Sequence, residues 1–180
     1  MHLTRKTLII LVILLLLFWA LALVLFLRSS PSQTSYTTDY FKVRYPNSWD
    51  KTTRLVAGAG TMVTLLPHDL KPDTLFPRID IIVTPLTAEN SLKKKIESLS
   101  FMELKQQNTV FHDIPVIELS STKISKLLHG NPEEKPIKKT ILLFERTGFL
   151  YDIDYALFQD QDQVSVEREL KGILSSIDIK

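Results

Sequence analysis

The hydrophobic pattern of this chain changes character twice. From Leu8 to Leu27, LIILVILLLLFWALALVLFL, twenty successive residues carry no charge. At about 1.5 Å per residue, a helix of that length matches a bilayer's hydrocarbon core of roughly 30 Å. Each Leu, Ile, Val or Phe favours insertion by about 0.3 to 0.6 kcal/mol near the helix centre, so residues 1–28 are predicted to be a signal-anchor transmembrane helix. A cleaved secretory signal is the competing reading, because Ala20, Leu21 and Ala22 spell a small-x-small site. Cleavage there would leave LVLFL at the new N-terminus, and the apolar run exceeds the roughly 7 to 15 residues usual in a signal. Residues 29–37, SSPSQTSYT, are small and polar and predict a flexible tether ahead of a folded domain at 38–180.

Beyond the tether, period-two alternation takes over. Phe41, Val43 and Tyr45 alternate with Lys42 and Arg44, which predicts a half-buried strand ended by Pro46. Met62 to Leu66 reads as a strand apolar on both faces; Ile79, Ile81 and Val83 alternate with Asp80 and Thr84, and Val116 to Leu119 gives a shorter strand. In residues 139–158, KTILLFERTGFLYDIDYALF, two apolar runs are broken by Thr147 and Gly148, the signal of a hairpin. Its second arm turns Tyr151, Ile153 and Tyr155 one way, Asp152 and Asp154 the other. Two segments change period. Over 90–107, Leu92, Ile96, Leu99 and Met102 fall at helical spacing with Asn90 placed to cap. Near the C-terminus Val166, Leu170, Ile173, Leu174 and Ile177 do the same, with Asp160 or Asp162 as cap. An antiparallel β-sheet covered by amphipathic helices is an α+β layered sandwich.

The strand FxVxYPxxW (Phe41, Val43, Tyr45, Pro46, Trp49), the glycine turn at Gly58 and Gly60, the helix opening at Ser91 and Leu92, the T-G hairpin and the closing helix ending in SSI come in a recognisable order. Over residues 36 to 180 the chain resembles the PsbP/Mog/DcrB-like α/β/α sandwich family, which includes photosystem accessory subunits, a small GTPase-binding factor and bacterial envelope proteins. The resemblance implies a non-catalytic binding or accessory module and transfers no catalytic constellation. It also implies that Pro46 and Trp49 serve the core. The bottom-up reading agrees: Pro46 fixes the backbone, and an indole burying on the order of 200 Å² can plug a sheet.

Charge narrows the class of partner. The chain has 22 basic and 20 acidic residues; setting aside Arg5, Lys6 and Arg28, which flank the apolar run, leaves 19 basic against 20 acidic. The domain is near neutral, so no nucleic-acid footprint is expected. Arg5 and Lys6 against Arg28 place the N-terminus in the cytoplasm and the domain outside it. With no cysteine, that domain holds together without disulfides.

Candidate chemistry is sparse. His2, His68, His112 and His129 are scattered, with no pair at metal-ligand spacing on a helix. Asp152 and Asp154 share a strand face and are the best candidates for a divalent cation, although solvated carboxylates explain them as well. An EF-hand counted from Asp160 fails, since Ser165 and Lys171 stand where Gly and Glu are required. There is no GxSxG elbow and no phosphate loop around Gly58 and Gly60. Lys93, Lys94, Lys95, Lys138 and Lys139 read as solvated faces, and Lys123 to Pro136 as a polar surface loop. No enzyme activity, cofactor or catalytic residue is expected. The expected function is a cell-membrane, single-pass, extracytoplasmic module that contacts the bilayer through Leu8 to Leu27 and binds a membrane or envelope protein. A ligand- or cation-binding receptor domain and a hydrolase are the alternatives.

Overall fold

The structure, a computed structural model, describes residues 14–19, 32–58, 60–70, 77–121, 137–158 and 164–180. The chain divides into two compact units, Met1–Gln33 and Thr34–Lys180. In the first, residues 14–19 are helical and leave their apolar side chains exposed. The rest of the predicted span Leu8–Leu27 lies outside the described residues, and among those described no helix is long and apolar enough to cross a membrane.

Ten strands and two helices make up the remainder of the described chain. Strands β1 (Gln33–Thr37), β2 (Phe41–Pro46) and β10 (Asp178–Ile179) form a small sheet in the order β1-β2-β10. Seven strands form the large sheet, in the order β3-β4-β5-β9-β8-β7-β6, every neighbour antiparallel. They are β3 (Trp49–Val56), β4 (Gly60–Pro67), β5 (Arg78–Pro85), β6 (Lys105–Phe111), β7 (Ile114–Ser121), β8 (Ile137–Arg146) and β9 (Phe149–Phe158). Helix α1 spans Leu92–Leu99 and α2 spans Val164–Ser175. This is the antiparallel, sheet-dominated α+β architecture that the alternation predicts, with few helices.

Period two decides what each face buries. Val63 and Leu65 of β4, Ile79, Ile81 and Val83 of β5, Tyr151 and Ile153 of β9 and Phe144 of β8 share one face and one core, closed from above by Phe41, Val43 and Tyr45 of β2 and by Leu170, Ile173 and Leu174 of α2. Phe144 and Tyr151 stack with ring centroids 4.9 Å apart. On the opposite face a smaller cluster, Leu119, Ile141 and Leu143, is covered by Leu92, Ile96 and Leu99 of α1. The hairpin predicted at Thr147 and Gly148 forms, and both residues have positive φ (50° and 82°), as a two-residue type I′ turn demands. A second such turn, His112 and Asp113 (φ 49° and 63°), joins β6 to β7.

Several expectations need correction. The helix read over 90–107 stops at Leu99, gives a single 3₁₀ turn at Ser100–Met102, and is broken by Glu103 at φ 51°; Lys105 already begins β6. Ser91, not Asn90, is the N-cap, while the Asn90 amide donates to Thr84 Oγ1 (2.7 Å) and Pro85 O (2.6 Å). The last helix ends at Ser175, so Ile177 is buried beside it rather than on its stripe. Half of the predicted tether is strand β1, because Tyr36 packs against the core and Thr34 donates to Asn47 Oδ1 at 2.7 Å. Gly58 takes the positive-φ turn position (79°), whereas Gly60 lies in β4, where a Cβ would meet Thr84 Cγ2 at 2.5 Å and Val83 O at 2.8 Å.

Candidate functional site

The aromatic segment lies in the interior. Phe41 and Val43 are fully buried, Tyr45 and Pro46 buried, and Trp49 is 2% exposed. Trp49 opens β3, and its indole Nε1 donates to Glu169 Oε2 of α2 at 2.8 Å. The one polar atom of the plug is thereby satisfied, and it fastens the edge of the large sheet to the helix above it. The burial that holds Tyr45 also pushes its phenol above the ordinary tyrosine value.

Asp152 and Asp154 do share a face of β9, but not a solvated one. The register sets Asp154 directly opposite Asp80 of β5, and α1 lies over the same face. Asp152 is 5% exposed; its Oδ2 accepts from Lys95 Nζ of α1 at 2.8 Å, while Oδ1 is buried with no hydrogen-bond partner among the described residues. Asp154 is paired with the buried ammonium of Lys139, and Asp80 with Arg78 (2.6 Å) and the Thr64 hydroxyl (2.6 Å). Burial pushes the Asp154 carboxyl above the ordinary aspartate value; the Lys139 charge pulls the other way without cancelling it. Three carboxylates thus meet three cations. A divalent ion at Asp152 and Asp154 would have to displace Lys95 and Lys139, and among the described residues no group of three acidic or histidine side chains could hold a metal. Lys95 and Lys139, read as solvated, therefore turn inward, whereas Lys93 and Lys94 approach Glu97, and Lys138 approaches Glu167, at the surface.

The remaining predicted positions are dispersed. His68 pairs with Asp50 at 3.1 Å on the surface. His2, His129, Asp160, Asp162 and the loop Lys123–Pro136 lie outside the described residues. His112 is the exception, because it lines a cleft.

That cleft, of about 400 Å³, lies where the two strained hairpin turns approach the end of α2. Its polar wall is Arg44 of β2, His112, Arg146, Ser176 and Asp178; Ile114 and Ile177 supply apolar surface. The backbone of Arg44 is clamped at both ends: its N–H donates to Ser176 Oγ (2.9 Å), and its carbonyl lies 2.7 Å from that hydroxyl. His112 Nε2 lies 3.2 Å from the carbonyl of Leu174, and the ring meets Phe111 edge-on at 4.4 Å. Neither Arg44 nor Arg146 forms an ion pair among the described residues. Sequence reasoning missed both. Arg44 looks like an ordinary outward residue within β2 and Arg146 like one at the end of β8, and they are brought together from distant parts of the chain by the fold alone.

No protein-family model matches the sequence, and no curated protein matches it. Among solved structures, a cyanobacterial PsbP (CyanoP) from Synechocystis sp. PCC 6803 superposes with a TM-score of 0.53 at 15% identity, over 83% of this chain and 92% of that one. A crystal structure from Bacteroides thetaiotaomicron gives 0.50 at 6% identity over 83% of this chain, which spans only 48% of that longer protein. The chain has a PsbP-like fold, and at these identities the likeness is one of fold.

Proposed function

We propose that this chain is a membrane-tethered, non-catalytic accessory module whose folded unit, Thr34–Lys180, works outside the cytoplasm on a protein of the same membrane. The observation that carries the tethering is the charge-free run Leu8–Leu27, followed within a few residues by the first strand. So short a connection keeps the domain at the bilayer surface, within reach of other membrane proteins. The PsbP-like fold supports an accessory role by analogy, since one fold hosts many functions. The side chains best placed to react, Asp80, Asp152 and Asp154, are engaged in internal ion pairs, which favours a binding role over hydrolysis.

Two experiments on the full chain in its native membrane test this. Alkaline carbonate washing should leave the protein in the pellet, and crosslinking should join it reproducibly to one integral membrane protein. Release into the wash, together with crosslinks only to soluble proteins, would overturn the reading.

A further inference from the structure

We infer that the cleft beside the end of α2 binds a small oxyanion, a phosphate or carboxylate group gripped between Arg44 and Arg146. The proposal stands whether or not the chain is anchored, since every lining residue lies in Thr34–Lys180.

Charge favours an anion in this cleft. Arg78, Lys95, Lys138 and Lys139 each meet a carboxylate, yet the two guanidiniums of the cleft form no ion pair among the described residues. They line one concavity with a single carboxylate, Asp178, so the wall carries a net charge of +1 with His112 neutral. Both side chains are exposed and solvated, and an anion entering between them would be attracted by two cations at once. The planar fork of a guanidinium matches the paired oxygens of a carboxylate or phosphate, and two forks can hold one group from both sides.

The helix end is the obvious alternative use for these cations. A helix C-terminus attracts positive charge through its unsatisfied carbonyls. Two of them are already engaged: Ile173 O accepts from Ser176 N at 2.9 Å, and Leu174 O accepts from Ile177 N at 3.2 Å with His112 Nε2 also 3.2 Å away. Among the described residues neither guanidinium hydrogen-bonds to a carbonyl of that helix end.

The backbone around both arginines is also held in place. Ser176 fixes the Arg44 backbone, and Arg146 immediately precedes Thr147, a β-branched residue at φ 50°. His112 is likewise held at φ 49°. Both are the first residues of two-residue hairpin turns, whose geometry fixes where His112 and the neighbouring Arg146 stand. A cleft of about 400 Å³ falls within the roughly 300 to 1,000 Å³ of small-ligand sites.

The test is isothermal titration calorimetry on the full chain in mild-detergent micelles at low salt, with inorganic phosphate and citrate as separate titrants and glucose as a neutral control. The expected result is saturable one-site binding of at least one anion. Arg44→Gln and Arg146→Gln should each weaken it about ten-fold or more, since a charged hydrogen bond is worth about 1.5 to 3 kcal/mol and each 1.4 kcal/mol is a factor of ten. The double variant should lose it. Binding of citrate alone assigns a carboxylate ligand, and of phosphate alone a phosphate. Arg146→Lys, which keeps the charge and loses the fork, should fall between native and Gln, and gives a readout even if a Gln variant misfolds. No saturable binding of either anion, or native affinity in a folded Arg44→Gln/Arg146→Gln variant, would overturn the assignment.

Discussion

On one face of the large sheet Ile79, Ile81 and Val83 of β5 and Ile153 of β9 meet other apolar side chains; on the other, the same two strands set Asp80 opposite Asp154 and leave Asp152 under α1. Both faces are covered, but by different physics. The first gains from every apolar contact and can be damaged one methylene at a time. The second removes three carboxylates from water and needs Arg78, Lys95 and Lys139 to make that tolerable, so its contribution depends on pairs rather than on single residues. An eight-residue helix supplies little hydrocarbon, so α1 seals Leu119, Ile141 and Leu143 with its apolar side chains and reaches the charged strip with Lys95.

Four substitutions sharpen or break this contrast, each read by chemical unfolding of the full chain in detergent. The largest effect belongs to the apolar face: Trp49→Ala should cost about 3 to 5 kcal/mol, through lost burial and the cavity left under α2. Lys139→Met comes next at about 3 kcal/mol, because it leaves the Asp154 carboxylate buried without its cation. Adding Asp154→Leu to Lys139→Met should restore most of that loss, a recovery with no counterpart on the apolar face; failure to recover would mean that the two faces do not differ as described. Glu169→Leu, which strands the Trp49 indole N–H, should cost about 1 to 2 kcal/mol.

The smallest effect is in pH. Because the native Asp154 value is raised, the folded chain keeps a proton that the unfolded chain has already lost as pH climbs above the ordinary aspartate value. This group therefore subtracts stability progressively until the native value is passed. The stability of Asp154→Asn relative to the native protein should accordingly improve with rising pH across that window. Glu167 has the opposite sign: hydrogen bonds from Lys138 and Lys171 lower its value, so its contribution is present above the ordinary glutamate value and fades as pH falls through the native one. A flat difference for Asp154→Asn would show that Asp154 is open to water.

What the sequence revealed follows the same division. The central strands β4, β5, β8 and β9 bury side chains on at least one face, and the sequence reads as strand there, by alternation in β5 and β9 and as apolar runs in β4 and β8. The two edge strands were invisible: β3, WDKTTRLV, is exposed at six consecutive positions, and β6, KQQNTVF, has no buried residue, so neither carries a period. Trp49 was legible as a core plug because an indole beside a strand has few other uses, although its partner Glu169 was not. Asp152 and Asp154 were placed on the right face but given the wrong surroundings, since nothing local says that α1 folds over them. The cleft was the least legible feature. Arg44 and Arg146 come from different sheets and gain meaning only when a hairpin tip and a helix end bring them together.

The proposed topology, with the domain outside the cytoplasm on a retained apolar anchor, is directly measurable because the chain contains no cysteine. A single cysteine at Leu55, 88% exposed on β3, and separately one at Thr4, should be probed with a membrane-impermeant maleimide in right-side-out vesicles. The account predicts that Leu55→Cys reacts in sealed vesicles and that Thr4→Cys reacts only after they are opened, with both variants migrating at full length. Protection of Leu55→Cys until lysis, or a product shortened at Ala22, would contradict it.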